Sequence, residues 1–321
     1  MIKTKNRKLI IGTRGSELAL AQTKIVIDLL RRKVENIEFI QKVIRTSGDE
    51  GIARPSSDFS GKDAFTREID NALVGGKIDL AVHSLKDVPN DEYKKASDPP
   101  PVELAAFPVR ESPFDVLISK KVGQKIDSLP TGARIGTSSV RRRIQLESYR
   151  PDFRIVEVHG NVPTRIKKLR NGDFDLDAIV LAEAGLNRLG AENEIAEVIP
   201  PVVMLPAVGQ GCLAVAVRSQ DAEIKKIARS IDDYRTRQCI LAERRFSREF
   251  GGGCNTPLAA LATMKRGMIN LEGMVARSAV EHSPAASGDP IIRVKITGPA
   301  SGPNRLGRSL SQKAKSQGAR K

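Results

Sequence analysis

Residues 8–33, KLIIGTRGSELALAQTKIVIDLLRRK, run an apolar strand into a glycine turn and then into a helix. Leu18, Ile25, Leu29 and their neighbours recur at the helical period, whereas Leu9–Ile11 is a short continuous apolar run of the kind a buried strand shows. Residues 133–150, ARIGTSSVRRRIQLESYR, repeat the design, with Ile135-Gly136-Thr137 standing where the first stretch has Ile11-Gly12-Thr13. The parallel extends outward. The segment IDLAVHSLKDVP, around Leu80, is matched by DLDAIVLAEAGLNRL, around Ile179. Strands that alternate with helices make an α/β architecture, and two like units are expected. In such sheets ligands bind beyond the carboxyl ends of the strands.

The rest of the chain fits around these two units. EFIQKVIRTSGDE is a second strand running into a polar loop, and AFTREIDNALVGGK is a helix that ends at a glycine pair. NDEYKKASDPPPVEL is expected as loop, because consecutive prolines continue neither a helix nor a central strand. LPAVGQGCLAVAVR (Leu205–Arg218) reads as a late strand that returns to the first unit. From about Ile231 the character changes: an amphipathic helix, the loop GGGC, then an alternating meander, together a small α+β domain.

Of 321 residues, 40% are hydrophobic, enough for a substantial core. No run of about 18 apolar residues is present, so no membrane span is expected. The first residues are basic, but their apolar run is too short for a signal peptide. Cys212, Cys239 and Cys254 are odd in number and widely spaced, which supports neither a disulfide framework nor a zinc site. A reduced, cytoplasmic setting is the plain expectation, with no metal. Cys212 and Cys239 lie in apolar or helical runs and read as buried small hydrophobes. Cys254 differs: Gly251, Gly252 and Gly253 strip side chains from its approach, leaving either a loop thiol without a role or one that something bulky can reach.

The net charge of +15 calls for an anionic partner or a solvated basic surface. The last 21 residues hold six Lys/Arg and no acid, so +9 remains elsewhere. Only 4% of residues are aromatic and none is Trp, which argues against base stacking on nucleic acid.

Candidate anion sites fall on the two turns. Arg14 and Ser16 open the first helix; Ser138, Ser139, Arg141 and Arg142 open the matching one. A helix N-terminus offers unbonded N–H groups and partial positive charge, and guanidiniums beside it add charge-assisted hydrogen bonds. The plain alternative is N-capping by the hydroxyls and solvated arginines. Two similar sites on like units favour an anion cleft. Arg141 and Arg142 are adjacent, so on a helix they diverge by about 100°; they are expected to serve different anionic groups, or only one of them to serve any. HGNVPTRIKKLR adds His159 and Arg165, and AEAGLNRLG adds Arg188. Lys86 and Asp87 follow an apolar strand. They make either a surface ion pair of little worth or a cleft-lining pair whose carboxylate steadies a cation or relays protons.

IGTRGSELALAQ, TSGD, GKDAFTREID, AVHSLKDVP, IGTSSVRR, HGNVPTRIKKLRNGDFDLDAIVLAEAGLNRLG, LPAVGQG, LAERRFSREFGGGC and TPLAA occur in one order. Together they resemble the porphobilinogen deaminase (hydroxymethylbilane synthase) family, from about Lys8 to Ala319. The resemblance implies three domains. The first two, 1–108 with 209–228 and 114–203, are like the lobes of a type II periplasmic binding protein, with the chain crossing between them twice. The third, 232–321, is small and α+β and carries the cysteine.

The resemblance further implies a monomeric cytoplasmic transferase. It joins four porphobilinogen molecules head-to-tail, releases ammonia each time, and hands a linear tetrapyrrole on to uroporphyrinogen-III synthase. The primer is a dipyrromethane cofactor in thioether linkage to Cys254. Asp87 matches the family's catalytic aspartate, with an electrostatic role. Lys86, Ser84, Ser138, Ser139, Arg141, Arg142, Asp49 and Gly160 match cofactor-binding positions. Arg14, Ser16, Arg165, Arg188, Phe65, Lys62 and His159 match substrate-binding ones, with Phe65 and Lys62 on a mobile loop.

Two positions depart from the family pattern. His159 stands where Arg is usual, and histidine carries charge only when protonated. Asp58 stands where many relatives carry Lys. A non-catalytic binder of small anions, which needs neither Asp87 nor Cys254, and a nucleic-acid binder, whose retention would be salt-sensitive, are the competing classes.

Overall fold

The computed structural model of the chain describes residues 2–46, 63–90, 100–251, 257–276 and 291–319. The described chain forms two compact units, Met1–Glu111 with Cys212–Arg237, and Ser112–Gly211 with Gln238–Lys321.

In the first unit, strands β1 (Ile2–Thr13), β2 (Val34–Val43), β3 (Leu80–Ser84), β4 (Val102–Ala106) and β10 (Leu213–Arg218) form one sheet in the order β2-β1-β3-β10-β4. β1 runs parallel to β2 and β3, and β10 runs antiparallel to β3 and β4. The late strand therefore does return to the first sheet. Helices α1 (Glu17–Arg31) and α6 (Ala222–Arg229) pack Val26, Leu30, Ile224 and Ile227 on one face, against Leu9, Leu80 and Val215. Helix α2 (Asp63–Val74) packs Ile69 and Leu73 on the other, against Ala81 and Ala216. Both faces being covered explains why these strands read as continuous apolar runs.

The second unit repeats this sheet. β5 (Asp115–Ser119), β6 (Arg134–Gly136), β7 (Arg154–Val156), β8 (Ala178–Ala182) and β9 (Glu197–Ile199) lie in the order β7-β6-β8-β5-β9. β6 is parallel to β7 and β8, and β5 is antiparallel to β8 and β9. Strand for strand, this is the pattern of the first sheet. In both, the reversed strand is the one the chain enters after leaving the other unit. Helix α3 (Val140–Tyr149) covers one face through Leu146. Helices α4 (Val162–Asn171) and α5 (Glu183–Asn187) cover the other through Leu169 and Leu186.

The likeness reaches single hydrogen bonds. Asp79, just before β3, accepts the Ile10 N–H on its carboxylate at 2.9 Å and donates its own N–H to the Ile10 carbonyl at 2.7 Å. Asp177, just before β8, does the same with Arg134, at 2.8 and 2.9 Å. The Ile-Gly-Thr motif is explained at the same junction. Gly12 pairs with Ala81 and Gly136 with Ile179. A Cβ on Gly12 would lie 2.3 Å from Ile78 Cδ1, and one on Gly136 would lie 2.8 Å from Val158 Cγ2 and 2.9 Å from Ile179 Cγ2. Glycine is what lets side chains from the neighbouring segments close over each strand.

The remainder of the second unit is a three-stranded antiparallel meander, β11 (Leu258–Lys265), β12 (Met268–Ala276) and β13 (Ile291–Pro299), with most of helix α7 (Tyr234–Arg248) and helix α8 (Pro303–Ser316). Phe246, Leu310 and Ala314 from the helices pack against Ile269, Leu271 and Val294. The other face of the meander presents Ala259, Leu261 and Met274 to Leu205. Two lobes of one α/β topology and a small C-terminal α+β part make up the fold, as expected.

Two sequence expectations change. β1 begins at Ile2 rather than near Leu9, because its first residues pair with Val34 and Glu35 of β2. The proline stretch is not loop to its end: Val102–Leu104 belong to β4, at the edge of the sheet, where a preceding proline removes no ladder hydrogen bond.

Gly136→Ala places a methyl group against two β-branched side chains with stiff rotamers, so relief is costly. A loss of about 1–3 kcal/mol in urea unfolding is expected. An unchanged midpoint would show that the close packing at this strand is not required.

Candidate active site

In each five-stranded sheet the three parallel neighbours end on one edge, and the residues singled out in the sequence come directly after those ends. In the first lobe, Arg14 and Ser16 follow β1, and Ser84, Lys86 and Asp87 follow β3, in the 3-10 turn Leu85–Asp87. Ser16 is the N-cap of α1, its oxygen accepting the Ala19 N–H at 3.3 Å. Arg14, Lys86 and Asp87 are half-buried. The turn bearing Asp87 is fixed at its root: the Leu85 N–H donates to the Cys212 carbonyl at 3.0 Å, and the buried Gln22 of α1 donates to Ser84 Oγ at 2.9 Å. A side chain on α1 thus ties the β3 turn to the helix that Ser16 caps.

In the second lobe, Ser138 and Ser139 follow β6, His159, Gly160 and Arg165 follow β7, and Arg188 follows β8. Ser139 is the N-cap of α3, accepting the Arg142 N–H at 3.4 Å, and Ser138 Oγ donates to the Val158 carbonyl at 3.2 Å. For Ser16 and Ser139 the capping role weighed in the sequence is the one observed. Gly160 has φ +119, in the range that disfavours side chains, and a Cβ there would meet Thr164 Cγ2 at 2.8 Å. Arg165 Nε donates to the Gly160 carbonyl at 2.7 Å, and Arg188 Nη2 to the Gly211 carbonyl at 2.6 Å.

The adjacent arginines do not diverge to different groups. Both reach one carboxylate, Asp115, at the start of β5. Asp115 is 0% exposed, and Arg141 and Arg142 are 7% and 5% exposed. Arg142 Nε and Nη2 donate to Asp115 Oδ1 at 3.0 and 2.7 Å, while its Nη1 donates to the Val180 carbonyl at 2.8 Å. Arg141 Nη1 lies 2.8 Å from Oδ2 and donates to the Leu205 carbonyl at 2.7 Å. The side chains are long enough to bend around the helix end, so the angle between their Cα–Cβ bonds does not decide where the guanidiniums lie.

Burial pushes the Asp115 carboxyl up, but the charges and hydrogen bonds of Arg141 and Arg142 outweigh it and hold the pKa at about 2. Burial lowers the pKa of Arg141, against the pull of Asp115. Arg165 is lowered too, first by burial and then by the charge of Arg142, which places these two cations within electrostatic reach. Two buried cations on one buried anion leave a surplus of one positive charge.

His159 stands apart from this cluster. Its side chain is 74% exposed, with Nε2 3.6 Å from Glu157 Oε2. Cys254, Asp49, Lys62 and Asp58 lie outside the described residues, as does the side chain of Phe65, a residue of α2. Cys212 and Cys239 are buried, as expected. The sequence reading missed Asp115, Gln22 and Gln210. An acid before an apolar strand reads as an ordinary strand start, and nothing local shows that it faces two arginines 26 and 27 positions on.

The strand ends thus present donors and cationic side chains, with the Asp87 carboxylate after β3. Donors and cations of this kind suit carboxylate groups. Among the described residues no group of His, Cys, Asp or Glu could hold a metal ion, and no helix is long and apolar enough to cross a membrane. Fold and residues define a two-lobed α/β protein in which each lobe carries cationic side chains and a helix N-terminus just beyond its strand ends. Residues 9–226 match the model of the porphobilinogen deaminase dipyrromethane cofactor-binding domain, and residues 237–316 that of the porphobilinogen deaminase C-terminal domain. The porphobilinogen deaminase of Desulforudis audaxviator is 42% identical over 98% of this chain and 96% of its own. That of Roseiflexus sp. is 42% identical over 97% of each, and that of Syntrophus aciditrophicus 44% identical over 83% of this chain and 84% of its own. The chain belongs to the porphobilinogen deaminase family.

Asp115 gives a pH test. Its folded pKa lies below the unfolded value of about 3.8. The stabilisation is therefore complete above about pH 4 and is lost as pH falls towards 2, for a total of about 2–3 kcal/mol. Urea unfolding at pH 5 and pH 2.5 is expected to show roughly two-thirds of this loss in the wild type and a smaller pH dependence in Asp115→Asn. Equal pH dependence in the two proteins would contradict the assignment.

Proposed function

We propose that this chain polymerises four porphobilinogen molecules head-to-tail into the linear tetrapyrrole hydroxymethylbilane, on a dipyrromethane primer joined by a thioether to Cys254. The observation that carries the reading is the alignment of cations at the strand ends of both lobes, with a single carboxylate, Asp87, at the end of β3, in a chain that matches both family models. Each pyrrole carries an acetate and a propionate, so every addition brings two negative charges. A site that holds the lengthening product must supply donors and positive charge. The buried surplus charge at Arg141 and Arg142, the N-terminus of α3 and the neighbouring Arg165 fit a bound polycarboxylate.

The roles are assigned by position. In the second lobe, Arg141, Ser138, Ser139 and Gly160 would hold the cofactor's carboxylates, while Arg142, turned inward onto Asp115, would act on them through its charge; Lys86, Ser84 and Asp49 are the cofactor-binding positions of the first lobe. The cofactor supplies the ring carbon to which the first substrate is joined. Arg14, Ser16, Arg165, Arg188, Lys62 and Phe65 would hold the incoming substrate. The substrate's carbon–nitrogen bond breaks and ammonia departs, leaving a cationic methylene-pyrrole. The Asp87 carboxylate accepts the pyrrole N–H and lowers the energy of that cation. When bound, the cofactor would supply the ring carbon that takes up this cation and releases a proton, so charge and atoms would balance. His159, exposed beside Glu157, would add to anion binding only when protonated.

On the same reading the segments 1–108 with 209–228, 114–203 and 232–321 are three domains. The first two carry the anion-binding residues and the third carries Cys254. The protein works as a cytoplasmic monomer and passes its product to a cyclising synthase, uroporphyrinogen-III synthase.

Asp87→Asn keeps the side chain's size and removes its charge. Turnover of porphobilinogen, followed by ammonia release, is expected to fall at least about 100-fold, the scale of losing one electrostatic stabiliser. Thermal unfolding should stay within a few degrees of wild type. Unchanged turnover would remove Asp87 from the chemistry.

A further inference from the structure

We propose that Asp115 is a positioning residue for the polyanion site, fixing Arg141 and Arg142 as one unit with a single net positive charge. The inference rests on the function proposed above. Asp115 itself is fully buried and touches no surface, so any effect it has on a ligand must pass through the arginines. Its backbone is locked in mid-sheet, paired with Ala182 on one side and Ile199 on the other. Its carboxylate is also held by Gln210, whose Nε2 donates to Oδ1 at 3.1 Å and to the Pro113 carbonyl at 2.7 Å. From this anchor Arg142 is committed inward through all three of its nitrogens, to Asp115 and to Val180 of β8. Arg141 is held by Nη1, between Asp115 and the Leu205 carbonyl. The Leu205 carbonyl is itself fixed by Gln145, whose Nε2 donates to it at 3.0 Å while the Leu205 N–H donates back at 2.8 Å.

Without the carboxylate, two like charges would lie side by side in a buried place and push each other, and Arg165, outward. With it, one charge is neutralised and the other is presented in a fixed place. A carboxylate ligand then meets one organised cation rather than two mobile ones. The geometry of Asp115, and not only its charge, is what the site requires.

Asp115→Glu separates the two, because it keeps the charge and moves it by one methylene. Intact-mass spectrometry reads the fraction of folded protein carrying the cofactor, and steady-state kinetics read KM against kcat. The expected result is a folded protein loaded about 10-fold more slowly, with KM for porphobilinogen raised about 10-fold and kcat changed far less, the scale of a sub-ångström to ångström misplacement. A purely structural Asp115 would lower the unfolding temperature and leave loading and KM of the folded fraction alone; that result would overturn the proposal. If Asp115→Glu does not fold, Gln210→Leu decides. It keeps every charge and removes one donor from Oδ1, and KM is expected to rise about 3-fold in the same direction; an unchanged KM would overturn the proposal. A wild type with neither adduct nor turnover would instead fail the proposed function. Citrate would then serve as the carboxylate probe: a thermal shift in wild type that Asp115→Glu lacks supports the positioning, and equal shifts, or none in wild type, overturn it.

Discussion

A cluster of cations can be built into a folded lobe only where buried counter-charge offsets their repulsion. In the second lobe that offset is one carboxylate, Asp115, taken out of water between Arg141 and Arg142. Breaking such a pair by removing one partner costs several kcal/mol, because the charge left behind has no water. The same carboxylate accounts for the placement of much else. Arg142 is tied through it to β8, Gln210 ties it to the segment that leads back to the first lobe, and Leu205 is held from the same arginine pair. The buried Glu243 continues the chain of contacts, accepting the Gly209 N–H and the Ala262 N–H, both at 2.8 Å, and so joins this segment to the first strand of the C-terminal meander. The C-terminal meander and the buried arginines thus share one network.

The duplication of the lobes gives a second constraint. In both sheets an aspartate before the third strand closes a pair of hydrogen bonds onto the first strand, and a glycine on that first strand admits side chains from the neighbouring segments. These contacts bring the first and third strands to one edge in register. The residues just beyond those strands (Arg14 and Ser16, Ser84 to Asp87, Ser138 to Arg142, and Arg188) are then delivered to an edge rather than scattered. The two lobes share the scaffold and differ in their cargo: the first brings the carboxylate of Asp87, the second a buried cation pair.

Much of this was legible in the sequence. The repeated Ile-Gly-Thr, followed by a helical period, is enough to place two α/β units. The parallel between IDLAVHSLKDV and DLDAIVLAEAGL supplies their third strands, and the return of Leu213–Arg218 to the first sheet is signalled by its late apolar run. The features that were not legible depend on contacts far apart in the chain. The partner of Arg141 and Arg142 is set by β5 lying beside β8, a fact of sheet order that no local spacing encodes. The extra length of β1 comes from pairing with the start of β2, which overrides a polar, basic sequence. The strand after the prolines exists because an edge position makes no demand on the missing N–H. The role proposed for Cys254 rests on the family motifs around it, since glycines before a thiol show only that nothing bulky precedes it in the chain.

The proposed chemistry needs the cation-lined strand ends to hold a primer anchored on one sulfur. Intact-mass spectrometry of the purified protein, beside Cys254→Ser, tests it most directly. The account requires the wild type to be heavier than its polypeptide by two pyrrole units, to gain further units when porphobilinogen is added, and the variant to show neither. A wild type at the bare polypeptide mass, unchanged by porphobilinogen, or a Cys254→Ser protein that carries the same adduct, would contradict it.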